Sequence, residues 1–202
     1  MFYKISRILY RFLARIVYKI EIEGIENVPK TGKLILCSNH KTNMDPFFLM
    51  AFFPRHPFFM GKAEAFKNPI IGCLLKWVGV FPVSRGNRDQ EAIERALEIL
   101  KEDKVLAMFP EGTRVKNGER VSAKMGVGLI ATTADAPVIP VFLSSDFRLF
   151  TKVKCIIGKP IYICKADYGA LDRDTYYKIS NEILDTIYLL GKKAGNSFTK
   201  KP

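Results

Sequence analysis

The first twenty residues place apolar and basic side chains with the period of an α-helix. Apolar residues cover most of segment 2–20, and at ~100° per residue the basic ones fall within an arc of roughly 120°. These basic residues are Lys4, Arg7, Arg11, Arg15 and Lys19. A wide apolar face beside a purely cationic stripe, with no acidic residue before Glu21, is typical of a helix in an anionic lipid interface. The alternative is a helix that docks on the protein core with its basic face in water.

Beyond residue 20, short apolar runs alternate with amphipathic segments. The runs predict strands at 20–23, 34–37, 80–83, 104–109, 138–143, 152–157 and 161–164. The helical periods predict helices over 46–53, 64–77 with a break at Pro69, 88–102, 126–134 and 172–193 with Asp172 at its N-cap. This alternation favours an α/β fold, a single domain with a mixed, largely parallel sheet flanked by helices. We therefore expect an amphipathic membrane-surface helix over 1–20 and one domain over 21–202.

Composition adds information mainly through charge. With 202 residues, 48% of them hydrophobic and 26% charged, the chain is long enough for one domain with a buried core. A total of 32 lysines and arginines against 20 acidic residues gives a net charge of +12, which indicates an anionic partner. That partner is nucleic acid, an anionic membrane or a phosphorylated substrate. No zinc-finger spacing or aromatic–basic RNA signature accompanies the charge, so we expect no nucleic-acid partner.

The cysteines and the apolar runs bear on the cellular compartment. Cys37, Cys73, Cys155 and Cys164 lie far apart in apolar runs without a CxxC pair, which predicts buried, reduced thiols in a cytosol-facing protein. Charges interrupt the N-terminal apolar positions, unlike a cleavable signal peptide. No run of about 18 uncharged apolar residues is present, so a spanning helix is not expected. These patterns predict a peripheral protein on the cytoplasmic face of the cell membrane.

The first candidate chemistry lies in the segment Asn39–Asp45. His40 follows a predicted buried strand, at the edge where sites in α/β sheets lie, and Asp45 precedes Pro46 as the expected N-cap of the next helix. From there the carboxylate can turn to the imidazole, fix its tautomer and make the other ring nitrogen a base for an attacking alcohol. The alternative is that Asp45 only caps its helix and His40 is a polar loop residue. His56, between two prolines, is expected to be structural or at the surface.

The second candidate is the hexapeptide Phe109-Pro110-Glu111-Gly112-Thr113-Arg114. A proline stops the preceding strand and a glycine turns the chain, so that an acid, a hydroxyl and a guanidinium are presented together. Arg114 has the fork geometry for phosphate, and Glu111 is expected to hold that arginine or to hydrogen-bond a substrate hydroxyl. A solvated surface turn would also contain glycine and charges, but it would not require this order.

These segments resemble the sequence blocks of the glycerolipid acyltransferases, the family of 1-acylglycerol-3-phosphate acyltransferases. Residues 39–45 match the NHxxxxD block, and residues 109–114 match the FPEGTR block. Residues 79–85 resemble the second block, an apolar strand that ends in arginine, and residues 138–141 resemble the fourth, an apolar strand with a central proline. Four blocks in the family's order cover residues 39–141, about half of the chain.

The resemblance implies a role for particular residues. His40 is the general base and Asp45 orients it. The resemblance assigns the glycerol-phosphate headgroup to Arg85, Glu111, Gly112, Thr113 and Arg114. Lys62 and Lys124 occupy positions where family members often carry basic residues, and each is either a phosphate contact or part of the solvated surface.

The sequence departs from the family pattern at two positions. Thr42 stands where serine is common, a change that keeps the hydroxyl. Ser84 replaces the acidic residue that often precedes the arginine of the second block. The second departure puts in doubt any acid-dependent role there, but it does not affect Arg85 itself.

The reaction implied by the resemblance is direct acyl transfer. His40 would deprotonate the hydroxyl of 1-acylglycerol-3-phosphate (lysophosphatidic acid) as that hydroxyl attacks an acyl thioester, which gives phosphatidic acid for phospholipid biosynthesis. The donor is acyl-coenzyme A or acyl carrier protein, and neither a cofactor nor a metal is expected. Backbone groups near 39–43 or 111–113 are candidates for binding the oxyanion. A covalent intermediate on Cys37 is less favoured, because this residue continues an apolar strand.

Two other functions stay open at this point. The same chemistry could use another acceptor, such as glycerol phosphate, dihydroxyacetone phosphate, another lysophospholipid or an amino-lipid; Glu111 and Arg114 favour one with a phosphate. A different class is a non-catalytic protein that uses its charge of +12 to bind a membrane or nucleic acid. It predicts no activity and no effect of His40→Ala on binding.

Overall fold

A seven-stranded sheet forms the centre of the computed structural model, which describes residues 2–77, 79–83, 89–115, 119–144, 147–195 and 199–200. Its strands are β1 (Lys19–Glu23), β2 (Leu34–Ser38), β3 (Pro57–Lys62), β4 (Val80–Val83), β5 (Val105–Met108), β7 (Val138–Leu143) and β8 (Lys152–Ile157). Two further strands, β6 (Glu119–Arg120) and β9 (Thr199–Lys200), pair with each other. The order β1-β8-β7-β2-β5-β3-β4 makes the sheet mixed, because β7 and β8 are antiparallel while the other pairs are parallel.

Among the residues that the structure describes, six α-helices connect and cover these strands. They are α1 (Phe2–Val17), α2 (Asp45–Phe52), α3 (Pro69–Trp77), α4 (Asp89–Lys101), α5 (Gly126–Ala134) and α6 (Arg173–Lys193). Short 3-10 turns occur at Ile25–Asn27, Ala63–Phe66 and Lys165–Tyr168. Asp172 caps α6 as predicted, since its side chain accepts a hydrogen bond from the backbone N–H of Thr175 at 2.8 Å. The α/β fold class is therefore confirmed.

The hydrophobic core has two layers, one on each face of the sheet. Side chains of a strand alternate between faces, so Leu34 and Leu36 pack with α2 while Ile35 and Cys37 pack with α4, α5 and α6. The central strands β2, β5 and β7 are buried on both sides, which is why they appear in the sequence as continuous apolar runs. This packing fixes the edge of the sheet at which β2 and β5 end.

Two strand predictions need correction. Residues 57–62 form β3, which lies between β5 and β4, although the prolines around His56 indicated only a helix end; Pro57 is tolerated because it is the first residue of the strand. Residues 161–164 do not form a strand, and Ile161 makes a single bridge to Val138. Strand β8 already pairs with this edge of β7 from Val141 onward. Segment 161–164 therefore pairs with β7 only at Val138.

The prediction of four buried thiols is half right. Cys37 and Cys155 are buried in the core, whereas Cys73 and Cys164 are exposed, and none of the four forms a disulfide. Burial raises the pKa of the Cys155 thiol to about 12 and that of the Cys37 thiol further still. A thiol held in its neutral form is a poor nucleophile, which argues against an acyl-enzyme on Cys37.

Helix α1 packs on α2 through arginines of its basic face, which contradicts the alternative of a helix docked on the core with that face in water. Arg7 and Arg11 donate hydrogen bonds from Nε to the carbonyl oxygen of Ala51, at 2.8 and 2.5 Å, and Arg7 also bonds the carbonyl of Phe53. The apolar face is left in contact with solvent, with six side chains between 51% and 67% exposed: Ile5, Ile8, Leu9, Phe12, Leu13 and Ile16. Arg7 and Arg11 of the basic stripe therefore contact the protein, and the helix presents apolar residues outward.

No helix within the described part of the chain is long and apolar enough to cross a membrane. The longest, α6, has 21 residues, but it places charged side chains on its outer face and buries the other against the sheet. The assignment of residues 1–20 as an anchor separate from 21–202 stays a prediction.

Candidate active site

The two sequence motifs meet at one edge of the sheet because their strands are neighbours. Strand β2 ends at Ser38 and is followed by the His40 loop, while β5 ends at Met108 and is followed by Phe109. The strands are parallel, with Cys37 level with Met108, so both loops leave the sheet at its carboxyl edge. This is where ligands bind in open α/β sheets.

His40 and Asp45 form a hydrogen-bonded pair in this loop. His40 Nδ1 lies 2.8 Å from Asp45 Oδ2, with the imidazole side chain 18% exposed and the carboxylate side chain 1% exposed. If Nδ1 carries the proton that it shares with the carboxylate, Nε2 is left with a free lone pair. Nε2 makes no hydrogen bond to any residue that the structure describes. The pair therefore presents a base on its solvent-facing side.

The Asp45 carboxylate is held by backbone and side-chain donors of the same loop. Its Oδ2 accepts hydrogen bonds from the N–H groups of Lys41 at 2.7 Å and Thr42 at 2.8 Å, and its Oδ1 accepts from Thr42 Oγ1 at 2.9 Å. Thr42 Oγ1 also accepts the N–H of Met44 at 3.1 Å. The hydroxyl that threonine shares with serine is thus in use, and the Asp45 oxygens cannot rotate freely away from the ring.

The expected role of Asp45 at the helix start needs a correction. Helix α2 begins at Asp45 itself, and Met44 occupies the N-cap without a side-chain capping bond. The carboxylate turns back toward the preceding loop because the N–H groups of Lys41 and Thr42 and the His40 ring converge on it. The alternative in which Asp45 only caps α2 is therefore wrong.

Packing fixes the plane of the His40 ring. The ring stacks on Phe109, with 4.0 Å between ring centroids and 15° between ring planes. Phe109 in turn stacks on Phe59 of β3 at 5.8 Å. The first residue of the FPEGTR segment therefore supports the histidine of the other motif, a contact that neither motif alone predicts.

Asn39 anchors the loop to the neighbouring strand on the other side. Its side-chain amide is 2% exposed, donates to the carbonyl oxygen of Leu143 at 2.9 Å and accepts the N–H of the same residue at 2.8 Å. The amide thus continues the pairing of β2 with β7 beyond Ser38. This exchange explains why the position before the histidine requires an amide with both a donor and an acceptor.

Glu111 joins the second loop to the backbone of His40. Its carboxylate is buried, with Glu111 1% exposed; Oε2 accepts the His40 N–H at 2.7 Å and Oε1 accepts the Tyr188 hydroxyl at 2.5 Å. The His40 carbonyl accepts the N–H of Val115 at 2.7 Å. Burial raises the pKa of Glu111 to about 7, against the lowering effect of these two hydrogen bonds. His40 is thus clamped on both sides of its backbone by the second loop.

The last three residues of the second motif and the nearby Lys124 lie at the surface. Gly112, Thr113, Arg114 and Lys124 are exposed, and the N–H of Lys124 donates to the carbonyl of Pro110 at 2.7 Å. Gly112 has φ 64°, and a Cβ added there would lie 2.8 Å from Lys124 Cγ. Lys124 and the glycine turn are therefore in contact, so the structure brings this lysine to the same surface as Arg114.

Two predicted binding residues cannot be compared with this geometry. Lys62 ends β3, but only its backbone is described. Arg85 lies outside the described residues, like Ser84 before it. Their roles at the phosphate stay predictions.

Two tyrosines near the pair were not predicted from the sequence. Tyr188 of α6 bonds Glu111, and the only sequence signal was a polar hydroxyl on the apolar face of a helix, which requires a partner without naming it. Tyr10 of α1 has a buried hydroxyl without a hydrogen-bond partner in the described residues. Burial, together with the nearby Tyr18 and Asp45, raises its pKa to about 12. Helix α1 therefore reaches the neighbourhood of the pair.

The described residues contain no group of three His, Cys, Asp or Glu side chains that could hold a metal ion. The groups that the structure brings together are a histidine base with its carboxylate, a buried glutamate and an exposed arginine and lysine. These groups suit proton transfer next to an anionic substrate.

Comparisons with known proteins fit this site. A family model described as Acyltransferase matches residues 19–144. The chloroplastic 1-acyl-sn-glycerol-3-phosphate acyltransferases of Brassica napus and Arabidopsis thaliana are 30% and 34% identical, over 83% and 74% of this chain and 54% and 46% of the relatives. The chain thus spans about half the length of these plant relatives. The 1-acyl-sn-glycerol-3-phosphate acyltransferase of Bacillus subtilis is 33% identical, over 75% of this chain and 77% of that relative.

A solved structure supports the fold. The 1-acyl-sn-glycerophosphate (LPA) acyltransferase PlsC from Thermotoga maritima superposes with a TM-score of 0.73, covering 98% of this chain and 81% of that one at 24% identity. The agreement includes the sheet and the helices around it. The matched family region includes both loops of the site.

Proposed function

This chain belongs to the Acyltransferase family, and we propose that it transfers a fatty acyl group from an acyl thioester to the free hydroxyl of 1-acylglycerol-3-phosphate, which yields phosphatidic acid. The observation that carries the proposal is the 2.8 Å hydrogen bond between His40 Nδ1 and a buried Asp45, which leaves Nε2 without a hydrogen-bond partner among the described residues. The relatives from Brassica napus and Bacillus subtilis are both named for this acceptor.

In the proposed reaction His40 acts as the general base. Nε2 accepts the proton of the acceptor hydroxyl as its oxygen attacks the thioester carbonyl, and Asp45 stabilises the imidazolium that forms. The tetrahedral intermediate then collapses, its C–S bond breaks, and the imidazolium returns the proton to the leaving thiolate. Atoms and charge balance without a metal or a cofactor.

The oxyanion of the intermediate requires hydrogen-bond donors that are not already used. Several backbone N–H groups near the pair are engaged within the protein, namely those of His40, Lys41, Thr42 and Gly112. The N–H groups of Thr113 and Arg114 make no hydrogen bond within the described residues. The Thr113 N–H is therefore a candidate within the segments 39–43 and 111–113 that the sequence suggested, and the Arg114 N–H is a neighbouring donor beyond them.

The phosphate of the acceptor fits the exposed basic residues beside the glycine turn. Arg114 offers a planar fork of donors, and Lys124 lies against Gly112 on the same surface. Neither has an acidic partner within hydrogen-bond reach in the described residues. Lys62 and Arg85 are further candidates for the phosphate on the basis of sequence alone.

Helix α1 supports a location at a membrane surface, where the acceptor lipid resides. Six large apolar side chains form its outward face, and an exposed apolar face of this size on a short helix is typical of insertion into the headgroup region. We propose that α1 lies in the interface by this face, on the cytoplasmic side. The net charge of +12 favours an anionic leaflet over a neutral one.

The function is tested by acyl transfer in anionic vesicles that contain lysophosphatidic acid, with acyl-coenzyme A and acyl carrier protein thioesters as separate donors. We expect phosphatidic acid from at least one donor, and a loss of ~10³-fold or more in kcat for His40→Ala. His56→Ala is the matched control, because His56 is the second of the two histidines and lies outside the site. Equal activity of the wild type and His40→Ala would refute the mechanism.

The acceptor is tested by a panel of substrates and by one variant. Product from glycerol phosphate or another lysophospholipid, with none from lysophosphatidic acid, would contradict the proposed acceptor. It would leave the proposed acyl-transfer mechanism in place. Arg114→Ala should raise KM for lysophosphatidic acid by about tenfold and change kcat less, because a lost phosphate contact weakens binding in the ground state. Arg95→Ala, on the exposed face of α4, serves as the control for a lost positive charge.

A further inference from the structure

A chain of hydrogen bonds links helix α6 to the backbone of the catalytic loop. The Tyr188 hydroxyl donates to Glu111 Oε1 at 2.5 Å, and the His40 N–H donates to Glu111 Oε2 at 2.7 Å. Tyr188 is 5% exposed and Glu111 is 1% exposed, so both bonds lie away from solvent. Hydrogen bonds in such surroundings are stronger than exposed ones.

This arrangement changes the expected role of the glutamate. Both Glu111 oxygens accept bonds from the protein, one from His40 and one from Tyr188, and the carboxylate points into the interior. Arg114, three residues later, is exposed. Glu111 therefore faces the interior and the histidine backbone, whereas Arg114 is exposed to solvent.

The tyrosine is held in its position by the core. It belongs to the apolar face of α6, together with Leu184 and Ile187, and the guanidinium of Arg120 lies 5.8 Å from its ring centroid. The ring can therefore not swing away from Glu111 without disturbing the helix. A rigid donor at this point fixes the position of the Glu111 carboxylate. The carboxylate in turn fixes the position of the His40 backbone at the end of β2.

We propose that Tyr188 is a positioning residue for the transfer reaction: through Glu111 it holds the His40 backbone so that Nε2 meets the acceptor hydroxyl. The kinetic test of this inference rests on the proposed function. Its NMR test depends only on the hydrogen-bond geometry. The Tyr188 hydroxyl reaches the His40 backbone through the Glu111 carboxylate, so the proposed effect passes through the glutamate. A displacement of a base by a fraction of an ångström is enough to slow a reaction that requires alignment.

The kinetic test is Tyr188→Phe, which removes one hydroxyl and keeps the ring in the core. We expect kcat to fall about five- to tenfold while KM for lysophosphatidic acid changes less than about twofold, since a lost alignment acts on the transition state. Tyr168→Phe is the matched control. It removes a hydroxyl that bonds the carboxylate of Glu182 on the same helix at 2.6 Å, away from the site, and should keep the activity of the wild type.

A mutant cycle with Glu111 separates positioning from a general loss of stability. In a Glu111→Ala background, Tyr188→Phe should cause no further loss of kcat, because the hydroxyl then has no carboxylate to hold. In Glu111→Gln the side-chain oxygen can still accept the His40 N–H, and the side-chain NH₂ can donate to the Tyr188 hydroxyl. This variant should therefore retain most of the activity. If Glu111→Ala does not fold, Glu111→Gln alone decides: a fall in kcat as large as that of Tyr188→Phe would contradict positioning through hydrogen bonds.

The spectroscopic test does not depend on activity. The His40 backbone N–H is a donor to a buried carboxylate at 2.7 Å, so we expect its proton resonance at unusually low field and its hydrogen exchange to be slow. Tyr188→Phe should move this resonance upfield and speed its exchange, and Tyr168→Phe should do neither.

The outcomes of the two tests are distinct. Absence of product with the wild-type protein overturns the proposed function, and the resonance of His40 still decides the hydrogen-bond chain. Product from the wild type with unchanged kcat and an unchanged His40 resonance in Tyr188→Phe overturns the positioning role alone. A rise in KM without a fall in kcat would place Tyr188 and Glu111 in substrate binding and would also overturn it.

Discussion

Arg7 Nε lies 2.8 Å from the carbonyl oxygen of Ala51, so the first helix is joined to the last turn of α2 by a charged donor. The end of a helix leaves carbonyl groups without partners and carries a partial negative charge. Arg11 binds the same oxygen, which places two guanidinium groups at this end. The basic stripe of α1 thus stabilises the helix that begins with Asp45, and it is not available to bind lipid along its whole length.

The first prediction concerns stability. Arg7→Ala should lower the free energy of unfolding by about 1–2 kcal/mol, because the carbonyl groups of Ala51 and Phe53 lose a charged donor. Vesicle binding should change little at the same time. Chemical denaturation and vesicle co-sedimentation measure the two effects, with Arg95→Ala, a half-exposed residue of α4, as control. Weaker vesicle binding with unchanged stability would mean that the basic face meets the membrane after all.

The second prediction concerns the outward face of α1. Phe12 is 64% exposed, and Phe12→Asp should weaken binding to anionic vesicles about tenfold or more, since a large apolar group is replaced by a charge of the same sign as the lipid. Ile70→Asp is the matched control, because this residue is 79% exposed but lies on α3. Equal binding of Phe12→Asp and wild type would refute the interfacial role of this face.

The third prediction concerns the pair at the site. In Asp45→Asn the amide NH₂ can face His40 Nδ1, which moves the ring proton to Nε2 and removes the base. We expect kcat to fall by ~10²–10⁴ with a small change in KM. Nitrogen NMR of the imidazole should report the changed tautomer, and Asp174→Asn, at the exposed start of α6, should affect neither quantity. Activity near that of the wild type would show that the tautomer does not depend on Asp45.

The fourth prediction concerns pH. The pKa of Glu111 is raised from 4.5 to about 7 by burial, with Tyr188, the His40 backbone, Asp45 and Lys41 as the groups that face it. A raised pKa means that the folded protein holds this proton more tightly than the unfolded chain. The stability from that proton is therefore complete below about 4.5 and is lost as the pH rises through about 7.

Glu111→Gln removes this titration. The free energy of unfolding of the wild type should therefore fall relative to that of the variant by about 1–3 kcal/mol as the pH rises from 5 to 8. Chemical denaturation across that range measures this difference. Glu98→Gln, at an exposed position of α4, provides the comparison for a surface carboxylate. A constant difference between wild type and Glu111→Gln over the whole range would contradict the raised pKa.

Much of the fold could be predicted because a local pattern of apolar residues indicates whether a segment is a buried strand or an amphipathic helix. The continuous run 138–143 and the periodic segment 126–134 were placed correctly from their patterns alone. Strand β3 was missed because Pro57 suggests a break, and its position between two other strands is a long-range property that no local pattern contains. The helical period of α1 correctly grouped its residues into faces, but it could not show which face meets the protein.

The site could be predicted in part for the same reason. His40 and Asp45 are five residues apart, so their contact is close to local and followed from a loop and a helix start. The bond between Glu111 and Tyr188 joins residues 77 positions apart, and the sequence between them does not indicate it. Stacking of Phe109 on the His40 ring depends on the parallel pairing of β2 with β5, which is also non-local.

The Glu111–Tyr188 hydrogen bond also has a consequence for biosynthesis. On a ribosome, α1 is made before α6, so its exposed apolar face is present before residue 188 has been added. The clamp on the His40 backbone can close only after α6 has left the exit tunnel and packed against the sheet. On the proposed function, a nascent chain can therefore meet a lipid surface before its base is aligned, and acyl transfer can begin only after α6 has folded onto the sheet.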